Sequence, residues 1–278
     1  MALVPQFYGG TGAPLDIELD PLTIAPAWFG HRARLAAWLA ALPTTRWDDA
    51  TRCDAWSVAG IVRHLASVSE FEGYTLHQGA KGEPTRLLEG FDAQVLPGAT
   101  AAMLDGQSPT ELLETLRVSD ARIERTVDGW SVDDWNRTAE APPGHVPGWL
   151  SLAHMLFDSW VHEHDLMDPR GEVPMVDPDE VRIVVAYVLG LAGFVTGIFD
   201  GSGSTADLHV TDTDLRVGLD ATGDRAVVRL DWAPDGAPVV EGTAATILDV
   251  ATGRAGPDVV RGDAAGVAVL SEFSNMLR

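Results

Sequence analysis

The chain has 278 residues, 46% of them hydrophobic and 22% charged, a balance that suits a globular protein with one large or two modest cores. Against 19 lysines and arginines stand 41 acidic residues, and the resulting formal charge of -22 argues against nucleic acid and anionic membrane surfaces as partners. The single cysteine, Cys53, excludes an intramolecular disulfide framework and a thiolate-rich zinc cluster built from one chain.

The opening "MALVPQFYGG" has neither a basic n-region nor a continuous apolar run, so it does not read as a signal peptide, and a reducing, cytoplasmic setting is expected. Residues 1–20 read as an irregular extension. "DPLTIAPAWFGHRARLAAWLAAL" then places Leu22, Trp28, Leu35, Trp38 and Leu42 near helical spacing, and Pro43 ends this first helix. A second helix begins at a Ser57 cap, repeats apolar residues at Val58, Ile61, Val62, Leu65, Val68 and Phe71, and carries His64. The third opens with Ser108, Pro109 and Glu111, a capping-box pattern. "EAPPGHVPG" reads as a turn-rich loop, and residues 149–165 as the fourth helix, which contains "HMLFDSWVHEHDL".

"DPDE" at 177–180 starts a fifth helix, whose segment 184–199, "VVAYVLGLAGFVTGIF", carries no charge. At 16 residues it falls short of the roughly 20 that a membrane span needs, and Arg182 and Asp200 bracket it. The expectation is a buried helix in which Gly193 and Gly197 allow close packing, an interdomain or dimer interface included. "DGSGST" at 200–205 reads as a flexible linker. Beyond it, "DLHVTD", "LRVGLD" and "RAVVRLDW" alternate like short strands, and two short helices flank the strand-like "DVVRG". The expected layout is an N-terminal helical bundle over 21–200 followed by a small α+β domain over 206–278.

Residues four apart share one helix face, so His154, Asp158 and His162 form a stripe, and an up-down four-helix bundle can bring His64 opposite them. Two imidazoles and a carboxylate suit Zn²⁺ with a fourth position open to water or substrate. Spacing alone leaves a second reading, hydrogen-bonded core histidines on a polar helix face. His77, His145, His164 and His209 read as surface or loop residues, with His164 also a candidate support for the ligands.

"TRCDAWSVAGIVRHLA", followed about 90 residues later by "SWVHEHDL", resembles the mycothiol-dependent maleylpyruvate isomerase family. The matching positions are Cys53, Trp56-Ser57-Val58 and His64, then Asp158, His162, Glu163 and Asp165-Leu166. Asp158 stands where the family prototype has Glu, one methylene longer. "EGTAATILDVATGRAGPDVVRGD" resembles the family's small second domain. The resemblance implies a DinB-like four-helix bundle joined to a sterol-carrier-like α+β domain, with His64, Asp158 and His162 as metal ligands and zinc as the ion.

It also implies a small-molecule thiol, mycothiol, as cosubstrate, since Cys53 is the chain's only thiol. If the thiol adds to a conjugated alkene and is expelled after bond rotation, the net reaction is cis-trans isomerisation; if the C–S bond persists, the outcome is S-transfer. Arg254 in "TGRA" is the candidate catalytic residue that binds a substrate carboxylate from the second domain, with a helix-end arginine on carbonyls as the other reading. Trp56 and Trp160 are candidates to line the thiol and substrate pocket, or else core aromatics. A monomer or homodimer is expected. The competing functional class is a non-catalytic, metal- or ligand-binding regulatory protein on the same bundle.

Overall fold

In the computed structural model, which describes residues 6–8, 14–199 and 201–277, the bundle is built from α1 (Pro21–Ala41), α2 (Val58–Ala80), α4 (Pro109–Val127) and α6 (Gly148–Met167). Their starts follow local chemistry. Asp20 accepts from the Leu22 amide, Ser57 from the Gly60 amide, and Ser108 and Glu111 complete a reciprocal capping box. The core-facing stripe of α1 is Ile24, Trp28, His31, Leu35 and Leu39, whereas the expected Leu22 is exposed. α6 is buried on nearly every side because α1, α2 and α7 (Pro178–Gly193) surround it.

The connections hold structure that composition did not announce. α3 (Leu96–Ala101) and α5 (Val132–Trp135) are short helices, and the stretch read as a loop is an antiparallel hairpin of β2 (Thr138–Ala141) and β3 (Gly144–Pro147). Its two-residue turn is Pro142-Pro143, and Phe7 docks beside it, receiving a 2.8 Å hydrogen bond from the His145 amide. That docking buries His145, whose Nε2 lies 2.8 Å from the Thr85 carbonyl, so the surface reading of this histidine is corrected. His164 is likewise buried, its ring 4.2 Å from that of Trp160.

The C-terminal part is a six-stranded sheet in the order β1-β6-β5-β4-β7-β8. β4 (Thr205–Val210), β5 (Leu215–Asp220) and β6 (Ala226–Leu230) form an antiparallel meander, and β7 (Val239–Gly242) and β8 (Arg261–Gly262) extend it beyond β4. β1 (Leu15–Ile17), from the segment read as an extension, adds parallel to β6 at the far edge. Ala206, Leu208, Val217, Leu219 and Val228 alternate toward one face. That face is covered by α7, α8 (Ala244–Ala251) and α9 (Ala264–Leu277).

α7 packs on α1 and α6 on one side and on β1, β5 and β6 on the other, so both lobes share it. The helix Pro178–Ile198 is long and apolar enough to cross a membrane, but most of it is buried within the fold. Each fully buried Val or Leu contributes about 1.5–3 kcal/mol, which explains why a charge-free helix sits here. Its glycines meet the sheet: a Cβ on Gly197 would lie 2.4 Å from both the Cβ and the carbonyl oxygen of Ala221. Because backbone cannot yield as a side-chain tip can, Gly197→Ala is expected to destabilise the fold by about 1–3 kcal/mol in urea melts; an unchanged midpoint would contradict this packing.

Candidate metal centre

His64 on α2 and Asp158 and His162 on α6 converge because the two helices pack directly against each other. His64 Nε2 lies 3.2 and 3.1 Å from the two Asp158 oxygens, and His162 Nε2 lies 3.6 Å from Oδ1. One donor atom from each residue fits within 4.8 Å of the other two. Both imidazoles are buried, and Trp56 packs over them with ring centroids 4.7 and 5.7 Å away. Burial opposes ionisation of Asp158, yet the His64 and His162 rings outweigh it and hold the carboxyl well below the usual carboxylate range.

The orientation of His162 is set from behind. Its Nδ1 lies 2.9 Å from Oδ2 of Asp165, one helical turn on, which leaves Nε2 facing Asp158. Asp165 is fully buried and accepts from Arg254 Nε and Nη2 at 2.7 and 2.5 Å, from Arg52 Nε at 3.2 Å and from the Cys53 thiol at 3.1 Å. Burial would raise its pKa, but Arg254 and His162 drive it far down instead. This carboxylate–histidine arrangement is the support that metal-binding imidazoles ordinarily have.

The donor set therefore fits a divalent ion. A second cluster, Cys53, His162 and Asp165, is equally close but does not fit one. Asp165 is already neutralised by two guanidiniums, and burial, with Asp165 beside it, pushes the Cys53 thiol up to about 12.

The centre opens on a cavity of about 670 Å³ between the lobes. Cys53, Trp56 and Arg254 line it beside the ligands, and Glu72, His154 and Tyr187 line it further along. Trp160 does not: it is buried on the far side of α6 against His164. Of the polar groups, sequence reasoning passed over Glu72, Arg52 and Tyr187. Glu72 is invisible by spacing from His162 but lies on the His64 face of α2, eight residues on, a signal that helical periodicity contains. Burial pushes the Glu72 carboxyl up to about 8 and the His154 imidazole down to about 4, so both are neutral near pH 7. Tyr187 Oη lies 2.8 Å from His154 Nδ1, and Ser151 donates to Glu72.

One wall of the cavity is a loop held by Glu140, which is fully buried and accepts from the Leu87 and Leu88 amides at 2.8 Å each, from Thr85 at 2.7 Å and from Tyr8 at 2.6 Å. Gln6 adds a 2.6 Å bond to the Leu88 carbonyl. The loop is thus fixed from the hairpin and the N-terminal segment together.

Two outcomes follow. Asp165→Asn leaves all three candidate ligands in place but loosens His162, so zinc affinity is expected to fall roughly 10–100-fold in competition with a chelator; unchanged affinity would contradict the supporting role. Glu72 keeps its proton in the folded state up to about pH 8, whereas the unfolded chain releases it near 4.5, so its contribution to stability declines as pH rises through that window. The melting temperature of the metal-free protein relative to Glu72→Gln should therefore fall between about pH 5 and pH 8; a flat difference would contradict the burial of this carboxyl.

The mycothiol maleylpyruvate isomerase N-terminal domain, as a family model, matches residues 29–167, half of the chain. Among solved structures, the crystal structure of the mycothiol-dependent maleylpyruvate isomerase is similar at a TM-score of 0.60 and 17% identity, covering 89% of this chain and 95% of that one. A histidine-to-alanine mutant of that enzyme gives 0.61 and 16% over the same shares. At such identity the structural likeness shows the fold, the helical N-terminal part with its strand-rich C-terminal part. No curated protein matches the sequence. The match over residues 29–167, on the helices that carry the candidate centre, identifies the chain as a member of the mycothiol maleylpyruvate isomerase family.

Proposed function

We propose that the protein is a zinc- and thiol-dependent enzyme that joins a small-molecule thiol, mycothiol by family, to an electrophilic substrate, as a cis-trans isomerase or an S-transferase. The observation that carries this reading is the triad of His64, Asp158 and His162, oriented by Asp165 and open to a large cavity. In this reading those three residues hold the ion. A divalent ion held there would supply the Lewis acidity that keeps a thiol ionised near neutral pH.

The chain's own residues supply the rest. Cys53 is not the nucleophile, because its half-buried thiol is a hydrogen-bond donor to Asp165 and stays protonated. Arg254 uses two of its three nitrogens on Asp165, which leaves Nη1 for an anionic group of the thiol or substrate at the cavity mouth. Trp56 shields the imidazoles and forms part of the wall the thiol would cross. Addition of the thiol to a conjugated alkene forms a C–S bond; expulsion after rotation completes isomerisation, and retention completes transfer. A reducing cytoplasm, which keeps such thiols reduced, is the setting this chemistry requires.

Metal analysis tests the reading directly. The wild-type chain should carry stoichiometric zinc that both His64→Ala and His162→Ala lose, and mycothiol should raise the melting temperature of the zinc-loaded form, by about 2.7 kcal/mol of stability at a hundredfold excess over Kd. A folded protein that takes up no metal and ignores thiols would favour the non-catalytic class.

A further inference from the structure

We propose that the electrophile taken by this cavity is an uncharged, mainly apolar molecule with one hydrogen-bond-accepting oxygen, such as an aryl or alkyl enone, and not a dicarboxylate. The inference rests on the thiol-enzyme reading above and concerns the part of the cavity that reading leaves unassigned. α2 and α6 run antiparallel along it: His64 faces Asp158 and His162, while Glu72, eight residues further along α2, receives a hydrogen bond from Ser151. Eight residues of helix span about 12 Å, so the polar wall has two separate ends. The metal ligands form one, and Glu72, His154 and Tyr187 the other.

The remaining wall is mainly apolar, with Ser67, Gln94, Thr100 and Thr252 as its uncharged polar members. Val68, Leu88, Phe91, Leu96, Phe194 and Phe273 face the same space from α2, the loop pinned by Glu140, α3, the end of α7 and α9. Among the described residues that line the cavity, Arg254 is the sole guanidinium and no lysine occurs, and with Nε and Nη2 on Asp165 only its Nη1 is left, enough for one carboxylate at the cavity mouth. A substrate with two carboxylates, as the name maleylpyruvate implies, could place one on Arg254 Nη1 but would bring the other against hydrocarbon or against Glu72. An unpaired buried carboxylate is strongly disfavoured.

A neutral carbonyl has the opposite preference. Burial keeps the Glu72 carboxyl protonated, and Glu72 lines the cavity, so it can donate to a carbonyl oxygen in a dry environment beside the hydrogen-bonded pair of Tyr187 and His154. With its carbonyl there, an enone would extend back along the apolar wall toward His64 and His162. Thiol addition then forms a C–S bond at the β carbon as the alkene π pair shifts toward the carbonyl. The proton lost by the thiol returns to the α carbon, so no oxidant or reductant is needed.

The test compares matched pairs on the zinc-loaded full chain. With mycothiol, benzylideneacetone should be consumed with a kcat/KM at least about tenfold above that for benzylidenepyruvate, its carboxylated counterpart, and above that for maleylpyruvate. Binding is measured separately, by tryptophan fluorescence at saturating mycothiol, with the unreactive ketone benzylacetone and the keto acid benzylpyruvate. The ketone should bind at least about tenfold more tightly, and Phe91→Arg should narrow that ratio. Equal or tighter binding of the keto acid, binding of neither, or faster turnover of either carboxylate overturns the proposal. Preferential binding of the ketone without turnover by any thiol supports the proposed ligand class and refutes the thiol-enzyme reading instead.

Discussion

Asp165 is the constraint on which the site depends. A fully buried carboxylate is tolerated only when its charge and lone pairs are met, and here they are met by elements from across the molecule. Arg52 and Cys53 come from the segment before α2, His162 from α6 and Arg254 from the turn after α8. The ion pairs also cross between lobes. Arg52 reaches Asp249 on α8 at 2.8 and 3.0 Å while Arg254 reaches back to Asp165 on α6. One carboxylate thereby fixes the ring of a candidate ligand, keeps the only cysteine protonated and ties the strand-rich part to the bundle beside the cavity.

The cavity lies between those two parts, and its contrasts follow from what surrounds it. α7 closes its base because its other face is spent on the sheet, with Gly190, Gly193 and Gly197 allowing approach to Ile17, Leu219 and Ala221. The hairpin and Glu140 hold the opposite wall. The chain's formal net charge is -22, but in this interior the carboxyls are paired, as in Asp165, or protonated, as in Glu72. Neutralisation by burial is what lets acidic side chains line an apolar space.

Much of this was legible in the sequence because helices announce themselves locally. Caps at Ser57 and Ser108 and the i, i+4 stripe at 154, 158 and 162 depend on neighbours a turn away, and the structure brings Asp158 and His162 to His64 as an antiparallel bundle can. Distant partners were not legible. β1 gains its role only by pairing with β6 more than 200 residues later, and the β2–β3 hairpin is masked by the prolines of its turn. Trp160 shows the same limit at finer scale: two residues from Asp158 is the opposite side of a helix, and only the packing of α6 told which side faced the cavity. His145 read as exposed because nothing local foretells that Phe7 and Thr85 will cover it.

The central claim, that the triad gathers a metal and an external thiol at one point, is tested most directly by cobalt substitution in a Cys53→Ser background, which removes the chain's only thiol. Mycothiol should produce a thiolate-to-cobalt charge-transfer band in the near ultraviolet, absent when His64 or His162 is replaced by alanine. A cobalt spectrum that thiol leaves unchanged, or cobalt that remains bound without those histidines, would contradict the account.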